Sequence, residues 1–120
     1  MSEKEILKTL QIEWSLRFDQ GNWEGLASLY SNDAQLFGGK PELYVGIKGI
    51  TSYFYTVPPH GQAVFQDEFT IKQLAEDVIL TSGYVEFRRH GSGRMFRLTW
   101  VMRNEKPEWK IIAHHASPLQ

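Results

Sequence analysis

Between Arg94 and Pro118, hydrophobic and polar residues alternate in a pattern that predicts two long strands. In the first, Phe96, Leu98, Trp100 and Met102 fall on one side while Arg97, Thr99 and Arg103 fall on the other, the two-residue period of a half-buried strand. In the second, Trp109, Ile111, Ala113, His115 and Ser117 share a side, Lys110 marks the other as wet, and Asn104-Glu105-Lys106-Pro107 supplies the turn between them. On this parity His115 and Ser117 point inward. Polar groups at the end of an apolar face need partners or a cavity.

Upstream, the period changes. Ser2 and Glu5 have capping-box spacing, and Leu7, Leu10, Trp14 and Phe18 follow at helical intervals until Gly21. Asn22 can cap a second helix, with Leu26, Leu29 and Tyr30 on its apolar side and Ser31-Asn32-Asp33 as its stop. Residues 34–37 and 42–45 read as a small edge hairpin around Gly38-Gly39-Lys40-Pro41. Over 46–55, Ile47, Ile50 and Phe54 have helical spacing, with Tyr53 near the inner side, and Pro58-Pro59 forbids continuation.

Two further strands are expected over 62–72 and 78–88, separated by breaks at Ala75-Glu76-Asp77 and His90-Gly91-Ser92-Gly93. In the earlier one Phe65, Asp67, Phe69 and Ile71 share a face, so Asp67 is a carboxylate among apolar neighbours. In the later one Leu80, Ser82, Tyr84 and Glu86 alternate with Ile79, Thr81, Val85 and Phe87; both sides carry apolar residues, and the direction of Tyr84 and Glu86 stays open. Helices first and then a meander of long strands is an α+β order. Three N-terminal helices packed on a strongly curved, mostly antiparallel sheet of about six strands would form a cone with an apolar floor and a pocket at its mouth.

Composition narrows the partners. The 120 residues suffice for one domain, 1–120, and 42% hydrophobic with 13% aromatic content supplies its core. A formal charge of −1 gives no basic patch for nucleic acid or an anionic membrane, so a small molecule or another protein is the expected partner. No apolar run approaches spanning length and the polar start Met1-Ser2-Glu3-Lys4-Glu5 is unlike a signal peptide, which makes a cytoplasmic location the expectation. The absence of cysteine removes thiol nucleophiles and thiolate metal sites.

Four fragments resemble the nuclear transport factor 2 like superfamily, in particular its SnoaL-like branch: Phe18 to Ala34, Gly49-Ile50-Thr51-Ser52-Tyr53-Phe54, Thr81-Ser82-Gly83-Tyr84-Val85-Glu86-Phe87, and Arg97 to Val101 continuing through Trp109 to Pro118. The order of Gly83-Tyr84-Val85-Glu86-Phe87, Arg97-Leu98-Thr99 and His114-His115-Ala116-Ser117-Pro118 resembles the G-x-Y-x-F, R-x-T and H-H-x-S-x-P order of small proteins of enediyne-type biosynthetic clusters. A more distant likeness is the association domain of calcium/calmodulin-dependent protein kinase II. The resemblance implies the cone fold and a homodimer, with Thr81, Val85, Ile112 and His114 expected on the outer sheet face. It hosts isomerases, cyclases, dehydratases, binding modules and assembly domains, so the site must choose among them. The general-base Asp of ketosteroid isomerases aligns with Gly38 here and their helix-one Tyr falls near Trp14, which disfavours that mechanism. The two pocket arginines of the kinase domain align with Glu86 and Trp100, so an anion held by that pair is not expected.

The candidate chemistry centres on His115, an inward imidazole suited to proton transfer, with Ser117 beside it as a ligand contact. Asp67, with its pKa raised by apolar neighbours, is the second candidate base. Trp14, Tyr53 and Trp100 are expected to wall the pocket, with Tyr84 and Glu86 adding a preference for a cationic or hydrogen-donating ligand if they face in. His114-His115 fails as a metal pair because adjacent strand residues point to opposite faces, and neither a metal nor a cofactor is expected. Arg97, on the face opposite Trp100, is expected to make an ion pair, with Glu86 or Glu68 depending on register, or an interface contact. The two glycine-rich stretches read as turns, lacking the helix that phosphate loops need. The expected function is therefore binding of a small apolar or aromatic molecule, with proton-transfer chemistry or, alternatively, a non-catalytic binding or assembly role.

Overall fold

A computed structural model describes residues 1–119. Helix α1 (Glu3–Asp19) starts on the expected box: Ser2 Oγ accepts from the Glu5 N–H at 3.2 Å, and Glu5 Oε1 accepts from the Ser2 N–H at 2.8 Å. Ile6, Leu7, Leu10, Trp14 and Phe18 form its buried stripe, and Gly21 takes the left-handed conformation (φ 67°) that ends it. At roughly 25 cal/mol per Å² of apolar surface removed from water, that stripe contributes several kcal/mol against the sheet.

Helix α2 (Trp23–Ala27) is shorter than its apolar spacing suggests. The chain turns at Ser28 and enters strand β1 (Tyr30–Phe37) directly, so Tyr30 is a strand residue, not part of the helix. The reason is tertiary: Ile111 N–H donates to the Leu29 carbonyl, and β1 runs parallel to the last strand of the chain. Strand β2 (Tyr44–Val45) adds antiparallel to β1, and helix α3 (Gly46–Phe54) follows, burying Ile50 and Phe54.

The expected strand over 62–72 is broken. Strands β3 (Gln62–Phe65) and β4 (Thr70–Ala75) pair with different lengths of one neighbour, β5 (Val78–Arg89), and the connection 66–69 leaves the ladder with Glu68 at φ 70°. Asp67 lies in that connection and is exposed. Strands β6 (Ser92–Asn104) and β7 (Trp109–Pro118) complete the sheet in the order β2-β1-β7-β6-β5-β3, with β4 also on β5. Seven strands, one parallel pair and the helices on one face make the α+β cone. Among the described residues no helix is long and apolar enough to cross a membrane.

Two registers decide which side chains look inward. In β5 and β6, Thr81 pairs with Trp100 and Val85 with Phe96; directly paired residues share a face, so Ile79, Thr81 and Val85 are buried beneath the helices and Tyr84 points outward. Thr81 and Val85 therefore do not belong to the outer face, where Leu80, Ser82 and Tyr84 stand instead. In β6 and β7 the pairing passes from Val101↔Ala113 to Met102↔Ile111, leaving Ile112 as an extra residue. This bulge reverses the parity of everything after it. His114 pairs with Trp100 on the inner face, whereas His115 pairs with Thr99 and Ser117 with Arg97 on the outer face.

Candidate functional site

Between α1, α3 and the β1–β2 turn on one side and the ends of β5, β6 and β7 on the other lies a hollow of about 510 Å³. Its walls include Trp14, Phe18, Tyr53, Phe54, Phe87 and Phe96, and His114 is the one imidazole lining it. The aromatic walls hold each other in place: Trp14 stacks on Phe18 at 5.1 Å and meets Phe54 edge-on at 6.0 Å, while Phe87 and Phe96 form a perpendicular pair at 5.1 Å.

His114 is fixed by donors. Trp100 Nε1–H donates to its Nδ1 at 3.0 Å, and Trp14 Nε1–H donates to the Tyr30 hydroxyl oxygen at 2.9 Å. An indole nitrogen can only donate, so Nδ1 carries a lone pair and the Tyr30 hydroxyl hydrogen is left to donate to it as well, at 2.9 Å. The ring proton of the neutral imidazole therefore sits on Nε2. Burial first, and the neighbouring His115 second, hold the His114 pKa down to about 3, so the ring is neutral at physiological pH. Its Nε2 has no partner among the described residues, yet is not among their buried unpartnered atoms, which leaves this N–H as the edge offered to the hollow.

Tyr53 supplies a second polar group. Its hydroxyl accepts from the Gly39 N–H at 2.8 Å, and burial raises its pKa. Gly38 makes the approach possible, since a Cβ there would stand 2.2 Å from the Tyr53 oxygen.

Of the residues singled out from sequence, Trp14 and Tyr53 line the hollow. Trp100 lies one layer beneath it, fully buried, and acts on it through His114. His115 is exposed on the opposite face, its ring 5.2 Å from that of Phe37, and Ser117 shares that face. The inward direction expected for both is corrected by the Ile112 bulge. Asp67 stands exposed in a break between strands, outside the hollow, because 66–69 does not continue the alternation of β3. Tyr84 is 51% exposed. Glu86 lines a separate polar hollow at the β5–β6 turn, held by Arg88 Nε at 2.7 Å. Arg97 pairs with neither Glu86 nor Glu68 but donates to the Pro118 carbonyl at 2.9 Å. Sequence reasoning missed His114, and no local signal marks it: in Ile111-Ile112-Ala113 three apolar residues in a row fit either parity, which is where a bulge leaves no polar trace.

The profile of the SnoaL-like domain family matches residues 7–120. Among solved structures, the fold superposes with a TM-score of 0.87 on a candidate calcium/calmodulin-dependent protein kinase II association domain from Xanthomonas campestris, at 25% identity over 99% of this chain and 89% of that one. An NTF2-like protein with a cystatin-like fold from Novosphingobium aromaticivorans gives 0.81 at 15% identity over 98% and 82% of the two chains. A ketosteroid isomerase-like protein from Erwinia carotovora atroseptica gives 0.80 at 13% identity over 99% and 98%. At such identities the last two establish the fold alone. No curated protein sequence matches the chain significantly.

Proposed function

The chain belongs to the SnoaL-like domain family of NTF2-like proteins, and on that premise we propose that it binds a small, largely apolar molecule in the hollow beneath α1 and α3, with His114 as the hydrogen-bond donor that orients it. The observation that carries this reading is the convergence of Trp100 and Tyr30 on Nδ1 of His114, which fixes the proton on Nε2 in a residue lining the hollow. A neutral N–H so held can polarise a bound carbonyl or stabilise an enolate oxygen without reorganising. Proton abstraction is less well supported. Among the described residues none that lines the hollow is a carboxylate, and Nδ1 of His114 is already occupied by two donors. Chemistry in this hollow, on this reading, is electrophilic assistance to a substrate whose own groups move the proton.

The test combines a thermal-shift screen of small aromatic and polyketide-like carbonyl compounds with nitrogen NMR of the His114 ring. Hits should raise Tm and shift the Nε2 resonance while Nδ1 stays unprotonated. Ligands that stabilise the protein without moving that resonance would remove His114 from the site.

A second copy of the chain covering the outer sheet face is part of the same reading. All three helices pack on the inner face, and Phe37, Val45 and Tyr84 stand exposed on the other strands' outer side. The similar Xanthomonas protein, described as an association domain, supports it. Sedimentation should give a dimer at micromolar concentration, and Tyr84→Lys should shift it toward monomer; a monomer throughout would end this part of the reading.

A further inference from the structure

Among the described residues, the charged side chains at the mouth of the hollow are cationic. Lys40 on the β1–β2 turn, Arg89 at the end of β5 and Arg94 early in β6 all line it, and among the described residues none that lines it is Asp or Glu. Lys40 is exposed and takes part in no salt bridge among the described residues. Arg89 donates through Nε to the Pro59 carbonyl at 2.9 Å and through Nη2 to the Pro58 carbonyl. Those neutral acceptors pin the guanidinium at the mouth without cancelling its charge. Arg94 lies over the Phe96 ring, 5.5 Å from its centre, which sets its direction along the wall. Asp19 and Glu86 line the adjoining polar hollow, where Glu86 is paired with Arg88.

From this arrangement we infer that the hollow selects an organic anion: an apolar, preferably aromatic, body against Trp14, Phe54 and Phe87, and a carboxylate at the mouth toward Lys40 and Arg89. The inference rests on the reading of the hollow as a ligand site and adds the charge class of its occupant. It runs opposite to the cationic preference that an inward Glu86 would have given. Cations at a concave, partly dry mouth both hold an anion and raise its local concentration. Inside, the fixed His114 N–H favours an occupant with an acceptor at its buried end without demanding one.

Calorimetric titration with three probes of one shape tests this: 2-naphthoate, the uncharged 2-naphthamide and 2-naphthylmethylammonium. Naphthoate should bind about tenfold more tightly than the amide, and the ammonium most weakly, with the gap narrowing in roughly 0.5 M salt. Lys40→Glu, a change at an exposed side chain, should lower naphthoate affinity about tenfold and leave the amide unchanged. Equal binding of the three probes, or an unaltered preference in Lys40→Glu, overturns the charge assignment while the small-molecule reading stands. Binding by none of the three overturns both.

Discussion

Trp100 and His114 face each other across the β6–β7 ladder, and the indole N–H of the first ends 3.0 Å from Nδ1 of the second. Both are buried, so this bond is not shared with solvent, and it settles which edge of the imidazole is left for the hollow. Tyr30 and Trp14 extend the network to β1 and α1, tying the floor of the site to its roof.

Tyr30→Phe tests the network with little change in volume. It leaves the buried Trp14 N–H without its acceptor and removes one of two donors to His114. Chemical denaturation should show a loss of about 1–3 kcal/mol, the cost of an orphaned buried donor. An effect below about 0.5 kcal/mol would mean that the chain of bonds is not kept in solution.

Acid should destabilise the protein through His114. In the folded chain the ring resists protonation down to about 3, whereas unfolding restores an ordinary imidazole near 6.5, so between those values the unfolded state binds more protons. Stability therefore falls as pH drops through that window, by about 1.4 kcal/mol per pH unit at most from this group. Denaturation curves from pH 7 to 4 on the parent and on His114→Asn should differ in slope; equal slopes would place the acid sensitivity elsewhere.

His115→Gln should be close to silent. The side chain is exposed on the outer face, so the change should stay within about 0.5 kcal/mol and leave probe binding in the hollow unaltered. A large loss of binding would mean that the parity of β7 is the reverse of the one described.

Gly38→Ala should move Tyr53. A Cβ at 2.2 Å from the hydroxyl oxygen forces the ring away and breaks its bond with the Gly39 N–H. The expected outcome is a loss of about 1–3 kcal/mol together with weaker probe binding, measured by thermal melting and titration. Unchanged affinity would show that Tyr53 is wall and not contact.

Gln11 is buried on α1 with its amide nitrogen unpaired. Gln11→Met keeps the length of the side chain and removes the unsatisfied donor, so stability should rise by about 1–2 kcal/mol in urea denaturation. A loss of stability would indicate a partner for that nitrogen, such as an ordered water.

Much of the fold was legible because its signals are local. The Ser2 and Glu5 box, the stripe from Leu7 to Phe18 and the alternation from Phe96 to Met102 each depend on residues within a few turns or pleats. The aromatic wall was legible too, since Trp14 and Tyr53 sit on the inner sides of their helices. Tyr30 has a spacing from Leu26 that suits a helix, and only the parallel pairing of β1 with β7 draws it into a strand. Asp67 was read as buried because the alternation through Phe65 and Phe69 looks unbroken; the pairing of β3 and β4 with separate parts of β5 breaks it there.

What the sequence determined by itself was the kind of object: helices with one apolar side, long alternating strands, and a family resemblance that fixed their order. What tertiary structure decided was which histidine the hollow contains. A strand's side chains repeat every two residues, so one extra residue at Ile112 exchanges the faces of all that follow, turning His114 in and His115 out. The local pattern admits that residue without penalty, because Ile111, Ile112 and Ala113 are apolar alike; only the match of Trp100 to the ring across the ladder selects it.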